Sequence, residues 1–321
     1  MIFNPLFGFY MLLGLTVIVA LSATSPFMLW AALEMNMLLF LPVMASESGL
    51  ALENTMKYFL VQSWASIMFL IGWALSYLVS EMASYMGFLA MMLKLGAAPI
   101  HGWFISIMKS CSIRMIIILS TLQKLIPLII LSHTYINNMG FMFFAISTFI
   151  VIFMSVLGTV SINKLLALSS MMNLIWMLLS VQIFLKLLLM FMAIYSMLLL
   201  GVNMIFKTTQ TSSFMEISMI SDYSKSVAVL MFMSLGGMPP LLGFLGKLLV
   251  LKTSLLFFNA AFILVLVFNS LMILFSYISR SFFILTFNPP MKSSMKEVKN
   301  SMAINIYLAS LFSFSFFMII V

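Results

Sequence analysis

Only 7% of the 321 residues are charged and 64% are hydrophobic, with a formal net charge of +8 and a mean hydropathy of +1.23. A soluble domain carries about 25% charged residues, so this chain cannot cover a water-facing surface and reads as one polytopic transmembrane domain over 1–321. The lone Cys111 excludes an internal disulfide and a Cys-based zinc or iron–sulfur site, and two histidines, His101 and His133, leave no His-rich metal or haem centre.

A crossing needs about 20 apolar residues, which divides the chain into about eleven predicted helices. The first, 3–24, begins within the opening MIFNPLFGFYMLLGLTVIVAL; with no basic run ahead of it, it is expected to be a span rather than a cleaved signal. The second, 25–46, carries Glu34 at the centre of MLWAALEMNMLLFLPV. The third, 55–79, contains KYFLVQSWAS, where Lys57 is either a membrane-surface anchor or, placed deeper, a partner for Glu34. The fourth, 82–105, contains KLGAAPIHGW, with Lys94, Gly96, Pro99 and His101. The fifth, 112–134, places Lys124 in LQKLIPL and ends at His133, which reads as interfacial. After a sixth span at 139–158, the seventh, 161–184, lines up Ser169, Ser170 and Asn173, which either hold water or bond their own helix backbone. The eighth is 186–206, and the ninth, 225–252, contains SLGGMPPLLGFLGK with Pro239, Pro240 and Lys247. The tenth and eleventh cover 255–284 and 301–321. The connections 207–225 and 287–300 are too short for a folded extramembrane domain. Trp30, Tyr77 and Tyr135 read as interfacial anchors.

Loop cations set the expected orientation. One face collects Lys57, Lys109, Arg114, Lys164, Lys207, Lys225, Arg280, Lys292, Lys296 and Lys299; the other has Lys186 and Lys252. That asymmetry places the N-terminus on the positive side, matrix or cytoplasm, and an odd helix count places the C-terminus opposite. Methionine occurs 34 times. It serves either as soft apolar filler or as the mark of a mitochondrial code that reads an isoleucine codon as methionine.

Lys94, Lys124 and Lys247 remain inside predicted spans, joined by Glu34. A charge at mid-bilayer costs roughly 2.5–3.5 kcal/mol on insertion scales, so four cost on the order of 10 kcal/mol before pairing. A Glu–Lys pair that merely pins helices accounts for Glu34 and one lysine; it leaves two lysines without an acidic partner. Proton transfer explains the surplus. Desolvation favours a neutral amine and a nearby carboxylate favours the ammonium, so a lysine held between them exchanges its proton when a neighbour changes charge. A line of such groups bridged by water is a proton relay. His101 either passes a proton near the break or is a satisfied helix-end histidine.

Broken helices are tolerated in a membrane where they pack inside protein or line a wet cavity. The two breaks fall five spans apart, with lysine before the proline in one and after the proline pair in the other. That mirrored order is expected of an inverted repeat, with halves at about 3–134 and 139–284 followed by a C-terminal helix at 301–321. No Walker loop, no GxGxxG in a βαβ setting and no Arg-rich voltage sensor occur, so neither ATP-driven pumping nor NADH binding by this chain is indicated.

LEMNMLLFLP, KYFLVQSWAS, LKLGAAPIHGW, LQKLIPL and SLGGMPPLLGFLGK, in this order and spacing, closely resemble the antiporter-like membrane-arm subunits of mitochondrial NADH–ubiquinone oxidoreductase, respiratory complex I. The resemblance runs from about 25 to 252 and looks like the short animal form, which lacks three N-terminal helices of bacterial relatives; the methionine excess fits an invertebrate. It implies an all-α, inverted-repeat antiporter-like fold in the mitochondrial inner membrane. It implies Glu34 and Lys94 as a carboxylate–lysine pair, Lys124 as the central relay lysine and Lys247 as the outlet-side lysine. Pro99, Pro239, Pro240, His101, Lys57, Ser169 and Asn173 would support them.

Proton movement would be driven by quinone reduction elsewhere in the complex. This chain would have no cofactor and no catalytic activity alone, FMN and iron–sulfur clusters lying in partner subunits. Its expected partners are neighbouring antiporter-like subunits and lipids in a hetero-oligomer, with no nucleic acid. The sequence departs from the family pattern at Leu122, where Trp is common, at Ile105 and Ser106 in place of Pro-Glu, at Asn173 in place of His, and at Gly246 in place of Pro. Because asparagine does not titrate, any relay there must use water. Two rival functions are a sodium/proton antiporter subunit and a structural membrane-arm spacer.

Overall fold

A computed structural model describes residues 5–46, 51–76, 80–133, 138–156, 158, 161–209 and 213–287. The expected span at 301–321, the cations Lys292, Lys296 and Lys299, and the anchors Tyr77 and Tyr135 lie outside the described residues. Every regular element among the described residues is an α-helix. By length and composition six helical stretches are long and apolar enough to cross a membrane: Pro26–Ala45, Leu52–Leu75, Ile113–His133 (running through a turn at Thr121), Ile162–Ile183, Leu185–Lys207 and Ala260–Thr286. Leu6–Ser22, Ser84–Leu95 and Gly140–Val156 are shorter apolar helices. The chain is a helical membrane protein.

The helices divide into two compact units, Met1–Thr148 and Phe149–Val321. In the first, α1 (Pro5–Ser22) packs on α2 (Pro26–Ala45), and α2 on α3 (Ala51–Leu75). The turn into α2 is cut sharply: Ser25 Oγ accepts from the Met28 N–H, and Pro26 occupies the first turn, where its missing N–H costs nothing. α3 packs on α4 (Ser80–Leu95) and α5 (Gly102–Ser110); α4 packs on α7 (Leu122–His133), which follows α6 (Ile113–Ser120).

The expected fourth span is therefore two helices. α4 stops because Gly96 takes φ 67°, and the Gly96 and Ala97 N–H groups bond the Leu93 and Met92 carbonyls at 3.1 Å each, a Schellman cap. The fifth span is divided too, at Thr121, a break that its apolar pattern did not show. Pro127 in α7 lacks an N–H and crowds the Gln123 carbonyl one turn back. Thr121 turns its hydroxyl onto the Ile117 carbonyl at 2.7 Å, and the Lys124 N–H reaches only to the Thr121 carbonyl, 3.1 Å away.

α8 (Asn138–Val156) contains the boundary between the units. The second unit is built around α9 (Ile162–Ile183), whose residues are buried almost all round, as expected of an apolar helix at the centre of a bundle. α10 (Leu185–Thr209) packs on α9, α12 (Asp222–Gly236) and α13 (Leu242–Ser254). α14 (Ala260–Thr286) packs on α9, α12 and the short α11 (Phe214–Ser218). The expected ninth span is again two helices. α12 ends on Gly237 at φ 86°, with the Gly237 N–H on the Ser234 carbonyl (3.1 Å) and the Met238 N–H on the Met233 carbonyl (3.2 Å), the same cap that ends α4.

Candidate functional site

The three lysines singled out in the sequence are all enclosed by protein: Lys94 is 5% exposed, Lys124 2% and Lys247 6%. None of them faces lipid. Lys225, expected among the loop cations, is also buried; it opens α12 with the exposed Asp222 carboxylate 3.6 Å away.

In the first unit, Lys94 stands in the last turn of α4, where a cation complements the negative helix end. Its main-chain carbonyl, one of those a helix end leaves without an internal partner, accepts from Gln62 Nε2 of α3 at 3.2 Å. Glu34 on α2, half-buried, interacts electrostatically with Lys94. Lys124 stands in the first turn of α7, and its Nζ lies 5.0 Å from the centre of the Phe104 ring, a cation–π contact in a desolvated place.

Phe104 is in turn set by the break: a Cβ on Gly96 would come within 2.8 Å of Phe104 Cβ. Glycine at 96 thus serves both the left-handed backbone and the close approach of the ring that carries Lys124. Ser147 Oγ donates to the Ala98 carbonyl at 2.8 Å and ties the break loop to α8.

The supporting residues divide. Pro99, which follows a cis peptide bond, is exposed, as are Pro239 and Pro240 at the second break. His101, half-exposed, is the N-cap residue of α5, with its Nδ1 3.0 Å from the Pro99 carbonyl. Lys57 is not placed beside Glu34. Because α3 starts at Ala51, Lys57 falls in its second turn, about half-exposed, and pairs with Glu53 one turn earlier.

In the second unit, Lys247 Nζ donates to the carbonyl of Gly236, the last residue of α12, at 2.9 Å. An ammonium thus replaces water on a buried helix C-terminus. A φ of 86° favours glycine at Gly237, and a Cβ there would sit 2.8 Å from that Nζ and push the lysine end aside. Lys247, Asn173 and Tyr195 meet at a cavity of ≈ 10 Å³ whose other walls are apolar or glycine, among them Phe191, Leu198 and Gly246. That is room for about one water. Ser169 and Ser170 donate to the Leu166 and Ala167 carbonyls at 3.0 and 2.7 Å, bonding their own helix.

Five side chains in the first unit were not anticipated: Asn36, Tyr58, Gln62, Phe104 and Gln123. Gln123 Oε1 accepts from Asn36 Nδ2 and from the Tyr58 hydroxyl, each at 2.9 Å. A signal existed in the quoted motifs. Each of these polar groups lies in an apolar run, where an amide is retained only if it finds a partner. Tyr58 and Gln62 are also spaced i,i+4, on one face of α3.

A family described as "NADH:quinone oxidoreductase/Mrp antiporter, TM" matches residues 76–273. The NADH-ubiquinone oxidoreductase chain 2 of Artemia franciscana is 33% identical over 300 residues, which cover 92% of this chain and 96% of that protein. The chain 2 of Anopheles gambiae is 34% identical over 303 residues, 89% of this chain and 86% of that protein. Among solved structures, a chain of respiratory complex I from Thermus thermophilus with bound aureothin superimposes with a TM-score of 0.80 at 16% identity, covering 97% of this chain and 77% of that one. At that identity the likeness speaks for the fold alone. With the helical membrane fold, the buried lysines and relatives matched over most of their length, the chain belongs to the NADH:quinone oxidoreductase/Mrp antiporter transmembrane family, in its NADH-ubiquinone oxidoreductase chain 2 branch.

Proposed function

We propose that this chain is a proton-translocating membrane subunit of NADH:ubiquinone oxidoreductase, moving protons through Glu34, Lys94, Lys124 and Lys247 while electrons pass from NADH to ubiquinone in other subunits. One observation carries the reading: the membrane-embedded lysines are enclosed by protein, at 5%, 2% and 6% exposure, when lipid-facing helices offered ample apolar surface instead. Burial of a charge costs several kcal/mol, and a function that needs the charge accounts for its retention.

Each group has a definable part. Glu34 supplies a negative charge to Lys94; a change in that charge alters how firmly the Lys94 proton is held. Lys124 keeps its ammonium over an aromatic face, a hold that a change in neighbouring charge can overcome. Lys247 keeps its proton on a helix-end carbonyl beside a one-water cavity with Asn173. There a water bridges where asparagine cannot titrate. No redox centre belongs to this chain; flavin and iron–sulfur clusters belong to partner subunits. Two inverted halves, approximately 3–134 and 139–284, with the loop cations gathered on one side, support an N-terminus in the matrix and a mitochondrial inner-membrane location.

The deciding experiment is Lys124→Met in the assembled complex in sealed vesicles. Proton uptake per NADH oxidised is expected to fall, with the complex still assembled; full pumping would favour the structural spacer and defeat the relay. The family description includes Mrp antiporters, which sustains sodium/proton exchange as the second reading. Exchange of sodium for protons by the reconstituted protein without electron transfer would favour it.

A further inference from the structure

Gln123 is a meeting point of three helices in the first unit. Its Oε1 accepts from Asn36 Nδ2 on α2 and the Tyr58 hydroxyl on α3, both at 2.9 Å, and its Nε2 donates to Asn36 Oδ1 at 3.4 Å. Both lone pairs of that oxygen are therefore committed. Asn36 and Tyr58 are buried, and the Tyr58 ring is wedged between Phe40, 5.2 Å away edge-on, and Trp103 at 6.3 Å.

The cluster also adjoins the three ionisable groups of the proposed relay in this unit. Gln123 directly precedes Lys124, and Asn36 follows Glu34 by two residues. Gln62, one turn beyond Tyr58, holds the Lys94 carbonyl. Such a cluster is poorly suited to carry protons, because its strongest acceptor is already saturated and amides do not titrate. It is suited to hold a position. Lys124 lies in the first turn of α7, which the turn at Thr121 separates from α6, and its N–H bonds the Thr121 carbonyl three residues back. A helix start of this kind frays unless side chains fix it.

The geometry points to Gln123 as a positioning residue: with Asn36 and Tyr58 it clamps the start of α7 to α2 and α3, and so keeps Lys124 over Phe104 in fixed register with Glu34 and Lys94. The inference rests on the reading that Lys124 carries protons. Satisfied buried networks specify one arrangement, and removing a member strands the others.

The test uses the whole complex in sealed vesicles, comparing Gln123→Met, Tyr58→Phe and Lys124→Met. Proton uptake is measured per NADH oxidised and per assembled complex, so that loss of folded protein does not enter the ratio. Gln123→Met is expected to lower the ratio to the level that Lys124→Met gives. Tyr58→Phe, which keeps the ring and removes one of two bonds to Oε1, should fall between that level and wild type. If Gln123→Met does not assemble, Tyr58→Phe decides alone. Wild-type ratios for the Gln123 and Tyr58 variants beside a failing Lys124→Met overturn the clamp and leave the relay standing. A wild-type ratio for Lys124→Met removes the relay reading, and the clamp with it.

Discussion

Gly96 and Gly237 end α4 and α12 with the same left-handed turn, φ 67° and 86°, and each abuts a side chain of the proposed relay or its support. A non-glycine residue in this conformation costs about 1–2 kcal/mol, and at Gly237 a Cβ would also displace the Lys247 ammonium 2.8 Å away. Gly237→Ala is therefore expected to lower the amount of assembled complex and to depress proton uptake per NADH in what remains. Gel separation after mild detergent extraction, with pumping measured on the same membranes, checks both effects. Both glycines were visible in the sequence beside lysine and proline. Their φ values and their contacts with Phe104 and Lys247 were not, because those contacts involve residues on the far side of each break. Lys57 shows the opposite case: its partner Glu53 lies four residues away, yet the apolar pattern left its depth open.

At the scale of helices, membrane packing lacks a hydrophobic drive between apolar surfaces and depends on close backbone approach. Gly243 illustrates this. A Cβ there would fall 1.8 Å from the Ser234 carbonyl oxygen, a backbone atom that cannot rotate aside, whereas one on Gly246 would meet the Phe191 ring at 3.3 Å. Gly243→Ala is expected to destabilise by more than about 1 kcal/mol, in the range of overpacked cores, and Gly246→Ala to be nearly neutral because the ring can shift. Thermal inactivation of the extracted complex separates the two. The division of the fifth span at Thr121 belongs here as well. Its run of isoleucine and leucine reads as one crossing, and only Pro127 hinted at a discontinuity. Pro127→Ala should allow α6 and α7 to join, turn Lys124 away from Phe104 and reduce proton uptake per NADH without preventing assembly.

For the whole molecule, the cation asymmetry yields a topology that can be read out chemically. In a Cys111→Ala background, Lys207→Cys is expected to react with an impermeant maleimide from the matrix side alone, and Lys186→Cys from the opposite side. Labelling of both from one side would break the eleven-span count. Mild extraction is also expected to bring flavin and iron–sulfur proteins along with this chain.

Composition alone determined the helical membrane class, and the order of motifs determined the family, because partition into lipid and the cost of Gly, Pro and charge in a span are local properties of a segment. Tertiary structure decided which buried groups meet. Asn36 and Gln123 are 87 residues apart in the chain, and their contact depends on the rotation and register of packed helices, which no apolar period encodes. The same packing put Lys124 over an aromatic ring and Lys247 on a helix-end carbonyl.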